Sequence, residues 1–157
     1  MAVISLRTLN DTDADGLFRM MSDPVAVEMA AFTPEDPSDR TAFDAHRARL
    51  RANPEVVQRA VTSDGRLVGM IASWVEMGDT EITYWIDRAF WGQGTATEAL
   101  TLFLTIIPVR PLYARVAFDN AASRRVLEKA GFRQVGSEIS YAPGRRAEIE
   151  EAILRLG

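Results

Sequence analysis

The 157-residue chain contains no cysteine and a single histidine, His46. Without cysteine there can be no disulfide, no thiolate nucleophile and no cysteine-ligated metal, and one histidine argues against the usual zinc sites, so no metal is expected. Acidic residues outnumber basic ones by 22 to 18, which gives a formal net charge of −4. A chain with this charge has no general basic field to attract nucleic acid.

Long apolar runs are also missing from the chain. The longest, Ala99–Val109, is too short and too rich in threonine to span a bilayer. The segment from Met1 to Asn10 lacks the basic start and apolar stretch of a secretion signal. We therefore expect a cytoplasmic protein that binds neither a membrane nor nucleic acid. The composition, 47% hydrophobic and 25% charged, is ordinary for a globular protein, and the length suits one domain over 1–157.

Hydrophobic periodicity and turn residues predict a mixed α/β domain, with a mostly antiparallel sheet of about six to seven strands and about four flanking helices. The predicted strands are Val3–Leu6, Val56–Thr62, Arg66–Glu76, Thr80–Asp87, Leu112–Phe118, a run from Phe132, and Ala147–Leu156. The predicted helices are one capped by Asp11 or Thr12, then Ser38–Ala52, Thr95–Ile107 and Asn120–Ala130. The run Ala147–Leu156 also has helical spacing, and its position favours a closing strand. The unit from Thr80 to Phe118 predicts a parallel strand pair joined through a helix.

A glycine-containing loop lies where a strand ends and a helix begins, at Gly92–Ala96. The first N–H groups of a helix have no intrahelical partner, and the positive end of the helix dipole faces outward there. Gly92 and Gly94 let the backbone turn tightly and approach a ligand closely, and Ala96 is small enough to continue that approach. The segment therefore suits a pyrophosphate, although the same glycines can also form a simple turn.

Two nucleotide-binding motifs compete for this segment. A P-loop requires a Gly-Lys-Ser/Thr sequence that Gln93 and Thr95 do not supply. A dinucleotide fingerprint requires a third small residue where Thr97 stands, and Asp119 lies near the place of its acidic partner. The antiparallel strands upstream argue against that second fold.

Two segments in this order resemble the GNAT acetyltransferase superfamily. Tyr84–Leu100 resembles its coenzyme A motif, and Asn120–Phe132 resembles its second motif. Within the superfamily, the chain is similar to the branch of ribosomal-protein N-terminal acetyltransferases and their small-molecule relatives. Two positions depart from the common pattern: Trp91 stands where Gln or Arg is frequent, and Leu127 stands where many members carry a tyrosine that protonates the leaving thiolate.

The resemblance implies that acetyl-CoA is the acyl donor, with the length of the acyl chain left open. It also implies a set of cofactor contacts, of which the backbone N–H near Ile86 would bind the oxyanion. Arg124 would meet the outer phosphate, unless it belongs to a solvated helix face. The implied cofactor-binding residues are Ile86, Trp91, Gly92, Gln93, Gly94, Thr95, Ala96, Thr97, Asn120 and Arg124.

Three polar residues are candidates for catalysis. Glu81 lies on the strand leading into the phosphate loop, shares a face with Thr83 and Trp85, and can act as a general base or be a solvent-side residue. Asn120 can contact the pantetheine arm or cap the next helix. Ser123 lies on the same helical face as Asn120 and can donate a hydrogen bond to the departing thiolate, as the resemblance suggests.

We expect an N-acetyltransferase that acts on a primary amine, either a protein N-terminus or a small molecule. A non-catalytic acyl-CoA-binding or regulatory domain remains the alternative. The acceptor is expected between the first helices, the loop Thr33–Pro37 and the hairpin near Tyr141–Arg146. Acidic residues could favour a cationic amine there: Glu28, Glu148 and Glu150. A homodimer would be in keeping with the family.

Overall fold

The computed structural model describes all residues from Met1 to Gly157. Its seven strands are β1 (Ile4–Thr8), β2 (Val57–Ser63), β3 (Arg66–Glu76), β4 (Asp79–Ile86), β5 (Leu112–Ala117), β6 (Arg133–Ala142) and β7 (Ala147–Leu156). Its five α-helices are α1 (Ala14–Met21), α2 (Pro24–Ala30), α3 (Arg40–Ala52), α4 (Thr95–Leu104) and α5 (Ala121–Lys129). Short 3₁₀ turns occupy Asp11–Asp13 and Arg88–Phe90. No helix is long and apolar enough to cross a membrane.

The strands form one sheet in the order β1-β2-β3-β4-β5-β7-β6. Every neighbouring pair is antiparallel except β4 and β5, which are parallel and are connected through α4. The predicted fold class is therefore confirmed, including the strand–helix–strand unit. The ambiguous C-terminal run is a strand, because β7 fits between β5 and β6 and pairs with both.

Hydrophobic residues cover both faces of the sheet. The larger cluster packs α4 and α5 on one face, with Phe103 and Leu127 fully buried against strand residues such as Ile82 and Leu112. A smaller cluster packs Leu17 and Met20 of α1 on the other face, against Met70 and Ala72 of β3. We call the first the α5 face and the second the α1 face. Successive residues of a strand point alternately to these two faces.

Three details of the helices differ from the sequence prediction. The first cap is Asn10, whose side chain accepts from the Thr12 amide, so neither Asp11 nor Thr12 has that role. Helix α4 ends at Leu104, three residues before Ile107. The helix count is five because Pro24–Ala30 forms a separate helix. Its signal was present in the sequence, since Asp23 caps it and proline at the first helical position favours a start.

Candidate acyl-transfer cleft

The parallel strands β4 and β5 separate soon after they begin. Their backbone pairing is confined to Thr80 with Leu112 and Glu81 with Tyr113. Beyond Glu81 the strands diverge, and the gap forms a cleft of about 290 Å³. The cleft is lined from both faces of the sheet, including Tyr84, Asn120, Ser123 and Leu127 from the α5 face and Trp74, Glu81, Arg115, Glu151 and Phe32 from the α1 side. A ligand held in it can therefore be reached from opposite sides of the sheet.

The α5 side of the cleft brings two of the predicted catalytic residues together. Asn120 is the N-terminal cap of α5, and its side-chain oxygen accepts a hydrogen bond from the Ser123 amide at 3.2 Å. The Ser123 hydroxyl meets the Tyr84 hydroxyl at 2.7 Å. Burial raises the pKa of Tyr84 to about 12, and its hydrogen bond to Ser123 opposes that effect only in part. Tyr84 is therefore a neutral phenol at physiological pH.

Leu127 is fully buried in the main hydrophobic cluster. The position at which many relatives carry a tyrosine is thus part of the core in this chain. The tyrosine hydroxyl in the cleft comes instead from Tyr84 on β4.

The glycine loop precedes α4, as predicted, and the residues from Trp91 to Gly94 are exposed. Gly92 and Gly94 have φ angles of +75° and +79°, a conformation that side-chain-bearing residues rarely adopt. Gly94 is the N-terminal cap of α4, and its carbonyl accepts the first hydrogen bond of the helix from the Glu98 amide. The amides of the first helical turn, at Thr95, Ala96 and Thr97, precede that bond and are free to bind an anion. The loop therefore fits the pyrophosphate of coenzyme A.

The end of β4 joins this loop to the cleft. The amide of Asp87 donates to the Val68 carbonyl on β3 at 2.7 Å, so the preceding amide, at Ile86, points to the opposite side of the strand, where β5 has diverged. The carbonyl of Ile86 accepts a hydrogen bond from the Trp91 indole at 2.9 Å. The Ile86 amide therefore faces the side on which the two strands have separated.

A carboxylate cluster lies on the α1 side of the cleft. Glu81 and Glu151 have side chains only 13% and 12% exposed. Arg115 lies between them: its Nη1 is 3.3 Å from Glu151 and 3.1 Å from Glu138, whereas its Nε is 3.7 Å from Glu81. Burial raises the pKa of both Glu81 and Glu151, and Arg115 partly opposes that rise. Two candidate bases thus share one guanidinium.

Arg124 does not lie free at the cofactor loop. Its guanidinium donates to the Phe118 carbonyl at 3.2 Å and to the Gln134 side chain at 2.6 Å. These two bonds connect α5 to the preceding loop and to β6, whereas Arg124 Nε is buried and has no hydrogen-bond partner. The phosphate role of Arg124 remains a prediction.

The sequence did not single out three residues that line the cleft. Tyr84 was named only as the first residue of the coenzyme A motif, and Arg115 and Glu151 were given no role. Of the acidic residues proposed to favour a cationic acceptor, Glu28, Glu148 and Glu150 are exposed and do not line the cleft. The neighbouring Glu151 lines it, because Glu151 is on the α1 face together with Arg115. The alternation of side chains along β7 would have placed Glu151 in the cleft only once the register of β7 with β5 was known.

One wall of the cleft, which includes Phe32, forms where the β6–β7 turn docks on α2. The Gly144 amide donates to the Ala31 carbonyl at 2.8 Å, and Arg145 pairs with both carboxylate oxygens of Asp119 at 2.8 and 2.9 Å. Arg145 also donates to the carbonyl of Glu28. These bonds hold the end of α2, and with it Phe32, against the cleft. The hairpin that was expected to contact the acceptor thus supports the wall and does not line it.

Substitution of Gly144 by alanine should loosen this wall. A Cβ at Gly144 would lie 2.5 Å from the Val27 carbonyl and 2.9 Å from the Ala31 carbonyl, which forces the turn away from α2. We expect the KM of the acceptor to rise about tenfold, with the affinity for acetyl-CoA changed less than about twofold, because the phosphate loop is elsewhere. Steady-state kinetics and calorimetry would measure both.

Gly136→Ala is the matched control for this prediction. Gly136 lies on β6, the strand that leads into the turn, and a Cβ there would be 4.0 Å from the Ile153 side chain, an ordinary contact. If both variants behave alike, the docking of the turn has no part in acceptor binding.

A sheet that opens between two parallel strands, with a backbone anion site at the adjoining helix, defines a protein that can hold a phosphate-bearing ligand across the opening. The model of the acetyltransferase (GNAT) domain matches residues 4–133, and the chain belongs to this family of acetyltransferases. The family expected from the two motifs is therefore confirmed. Among curated protein sequences, none matches the chain.

Several solved structures are similar to the chain over nearly its whole length. RimJ from Mycobacterium smegmatis, in complex with CoA-disulfide, is 26% identical, with a TM-score of 0.83 over 98% of this chain and 81% of that one. RimL, a ribosomal L7/L12 alpha-N-protein acetyltransferase in complex with coenzyme A, is 17% identical, with a TM-score of 0.82 over 98% and 93%. The microcin C7 self-immunity acetyltransferase MccE, in complex with acetyl-CoA and AMP, is 15% identical, with a TM-score of 0.79 over 98% and 91%. At 17% and 15% identity, the similarities to RimL and MccE show a shared fold and nothing more.

Proposed function

We propose that this protein is an N-acetyltransferase that moves the acetyl group of acetyl-CoA to a primary amine by direct attack. The observation that carries the proposal is the two-sided cleft, which has Ser123 and Tyr84 on one side and Glu81 on the other. A thioester held between them would have its sulfur toward the α5 face and its carbonyl open to a nucleophile from the α1 face.

The phosphate loop supplies the anchor for acetyl-CoA in this proposal. Free amides at Thr95, Ala96 and Thr97 would bind the pyrophosphate, with Gly92 and Gly94 allowing its close approach. Trp91 and Gln93 complete the exposed loop. The CoA-disulfide bound to RimJ supports this assignment.

The transfer itself needs a neutral amine, a polarised carbonyl and a stabilised thiolate. The nitrogen lone pair attacks the thioester carbon, the new C–N bond forms, and the C–S bond breaks with its electron pair going to sulfur. In this proposal the Ile86 amide would stabilise the oxyanion, and the Ser123 hydroxyl would donate a hydrogen bond to the thiolate. A carboxylate takes the proton of the amine, directly or through one water molecule.

Glu81 is the preferred base. Its carboxylate is held only at 3.7 Å by Arg115, whereas Glu151 is hydrogen-bonded to the same guanidinium. A carboxylate with fewer fixed partners keeps its lone pairs available for the amine. The raised pKa of Glu81 also brings it closer to that of an α-amine, about 8, which favours proton transfer.

The charge around the cleft favours an amine as acceptor. Three carboxylates, Glu81, Glu138 and Glu151, surround one guanidinium, Arg115. An ammonium group would be attracted to this excess of negative charge before it loses its proton. A protein N-terminus and a small-molecule amine both satisfy this chemistry.

Acetyl-CoA turnover against a panel of amines tests the proposal. The panel contains peptides with a free α-amine, the same peptides blocked at the N-terminus but carrying lysine, a polyamine and an aminoglycoside. We expect amine-dependent release of free thiol, with the free N-terminal peptides preferred because their amines are about 2 pKa units less basic than lysine. If the protein binds acetyl-CoA but no amine causes release of free thiol, the proposal is wrong and the protein is a non-catalytic acyl-CoA-binding domain.

A further inference from the structure

The Ser123 hydroxyl has one hydrogen-bond partner among the protein's side chains, the hydroxyl of Tyr84 at 2.7 Å. The two residues are 39 positions apart and come from α5 and β4. Serine at the start of a helix commonly bonds back to a backbone carbonyl, but Ser123 makes no such bond. Its hydroxyl can therefore form hydrogen bonds only with Tyr84 and with a ligand in the cleft.

The direction of this hydrogen bond decides what Ser123 can do. If Ser123 donates to Tyr84, its only proton is used and it offers the cleft a lone pair. If Tyr84 donates to Ser123, the serine proton is free to point into the cleft. A phenol is the more acidic partner, and a buried hydroxyl needs an acceptor for its proton. The alternative acceptor for Tyr84, the Ser123 carbonyl, lies farther away at 3.3 Å.

We propose that Tyr84 is a positioning residue that donates its hydroxyl proton to Ser123 Oγ and thereby directs the serine proton at the sulfur of coenzyme A. This inference rests on the proposed function and assigns Tyr84 a task in it. The leaving thiolate keeps the electron pair of the broken C–S bond, and Ser123 stabilises that charge by a hydrogen bond without transferring its proton. The pKa of Tyr84, raised by burial to about 12, keeps the phenol protonated throughout.

A hydrogen bond polarised by a second donor is stronger than an isolated one. Tyr84 should therefore make Ser123 a better donor, although Tyr84 itself does not contact the sulfur. The family's usual tyrosine position is filled by the buried Leu127, so this pair would replace a direct proton donor. The proposal predicts that Tyr84 affects the pKa of the coenzyme A thiol only when Ser123 is present.

The experiment is a double-mutant cycle with Tyr84→Phe, Ser123→Ala and the double variant, read by the pKa of the thiol in the enzyme–CoA complex. Thiolate absorbance of bound coenzyme A, titrated with pH, gives this value without any acceptor. We expect Ser123→Ala to lower the thiol acidity constant about tenfold and Tyr84→Phe about fivefold. In the Ser123→Ala background, Tyr84→Phe should change it less than about twofold.

Turnover provides a second readout of the same cycle. Tyr84→Phe should lower kcat about fivefold with an unchanged KM for acetyl-CoA, since the interaction strengthens only as the thiolate forms. Tyr113→Phe on β5, whose ring lies beneath the Arg155 guanidinium, is the control tyrosine and should leave both values unchanged.

Three outcomes would overturn the inference. An unchanged thiol pKa in Tyr84→Phe would mean that the tyrosine does not act on the sulfur at all. A loss of equal size with and without Ser123 would mean that Tyr84 reaches the sulfur by itself. A change in thermal stability with no change in thiol acidity would make Tyr84 structural. If coenzyme A fails to bind the unaltered protein, the proposed function fails first, which separates the two hypotheses.

Discussion

Replacing Gly94 by valine should weaken acetyl-CoA binding at least about a hundredfold while the protein stays folded. Gly94 has a φ of +79°, and no other part of the protein lies within 4 Å of a Cβ placed there. The substitution therefore creates no internal clash. It places a branched side chain above the free amides of α4 and favours a φ that would turn those amides away from the ligand. Losing two charge-assisted hydrogen bonds of about 1.5–3 kcal/mol each accounts for this factor.

Gly65→Val is the matched control for this substitution. Gly65 lies in the β2–β3 turn, has a φ of +82°, and has the same open surroundings. Both variants should lose about 1–2 kcal/mol of stability through the left-handed conformation. Only the Gly94 variant should lose affinity in calorimetric titration with acetyl-CoA. Retention of normal affinity in Gly94→Val would remove the cofactor from this loop.

Replacing Glu81 by glutamine should lower kcat about a hundredfold and leave the KM for acetyl-CoA within about twofold. Glutamine preserves the shape of the side chain but cannot accept the proton of the amine. A base works only in its deprotonated form, so kcat of the unaltered enzyme at saturating amine should fall as the pH drops through the pKa of Glu81. Because burial raises this pKa, the fall should begin above the pH at which an ordinary glutamate titrates. The Glu81→Gln variant should lack this fall of kcat at low pH, the acid limb of the pH profile.

Glu151→Gln distinguishes the two buried carboxylates. Loss of the Glu151 charge removes a repulsion that raises the pKa of Glu81 and frees Arg115 to pair with Glu81 more closely. Both changes lower the pKa of Glu81, so the acid limb should move to lower pH while most of kcat remains. A hundredfold loss in Glu151→Gln with a normal rate in Glu81→Gln would make Glu151 the base.

The local features of the cleft were readable from the sequence because nearby residues produce them. The exposed glycine loop before α4 follows from two glycines, a strand end and a helix start within about ten residues. The cap at Asn120 follows from a side chain that reaches an amide three positions along the chain. Both segments also carry the motif letters from which the family was identified.

Contacts between distant segments were not readable in the same way. The alternation of β4 places Glu81 and Tyr84 on opposite faces, but it does not tell which residues of β5, β7 or α5 meet them. Arg115 reaches Glu81 because β5 pairs with β4, and Glu151 reaches Arg115 because β7 inserts between β5 and β6 in one particular register. The sequence pattern of β7 alone was compatible with a helix.

The sequence by itself determined the family, the order of the seven strands and of four of the five helices, and the loop that would bind a pyrophosphate. The tertiary structure decided where β4 and β5 separate, which carboxylates share Arg115, and that Tyr84 meets Ser123 across 39 residues. The physical reason is the range of the interactions. Caps, turns and alternation depend on neighbours in the chain, whereas the cleft depends on how one sheet register brings separate elements together.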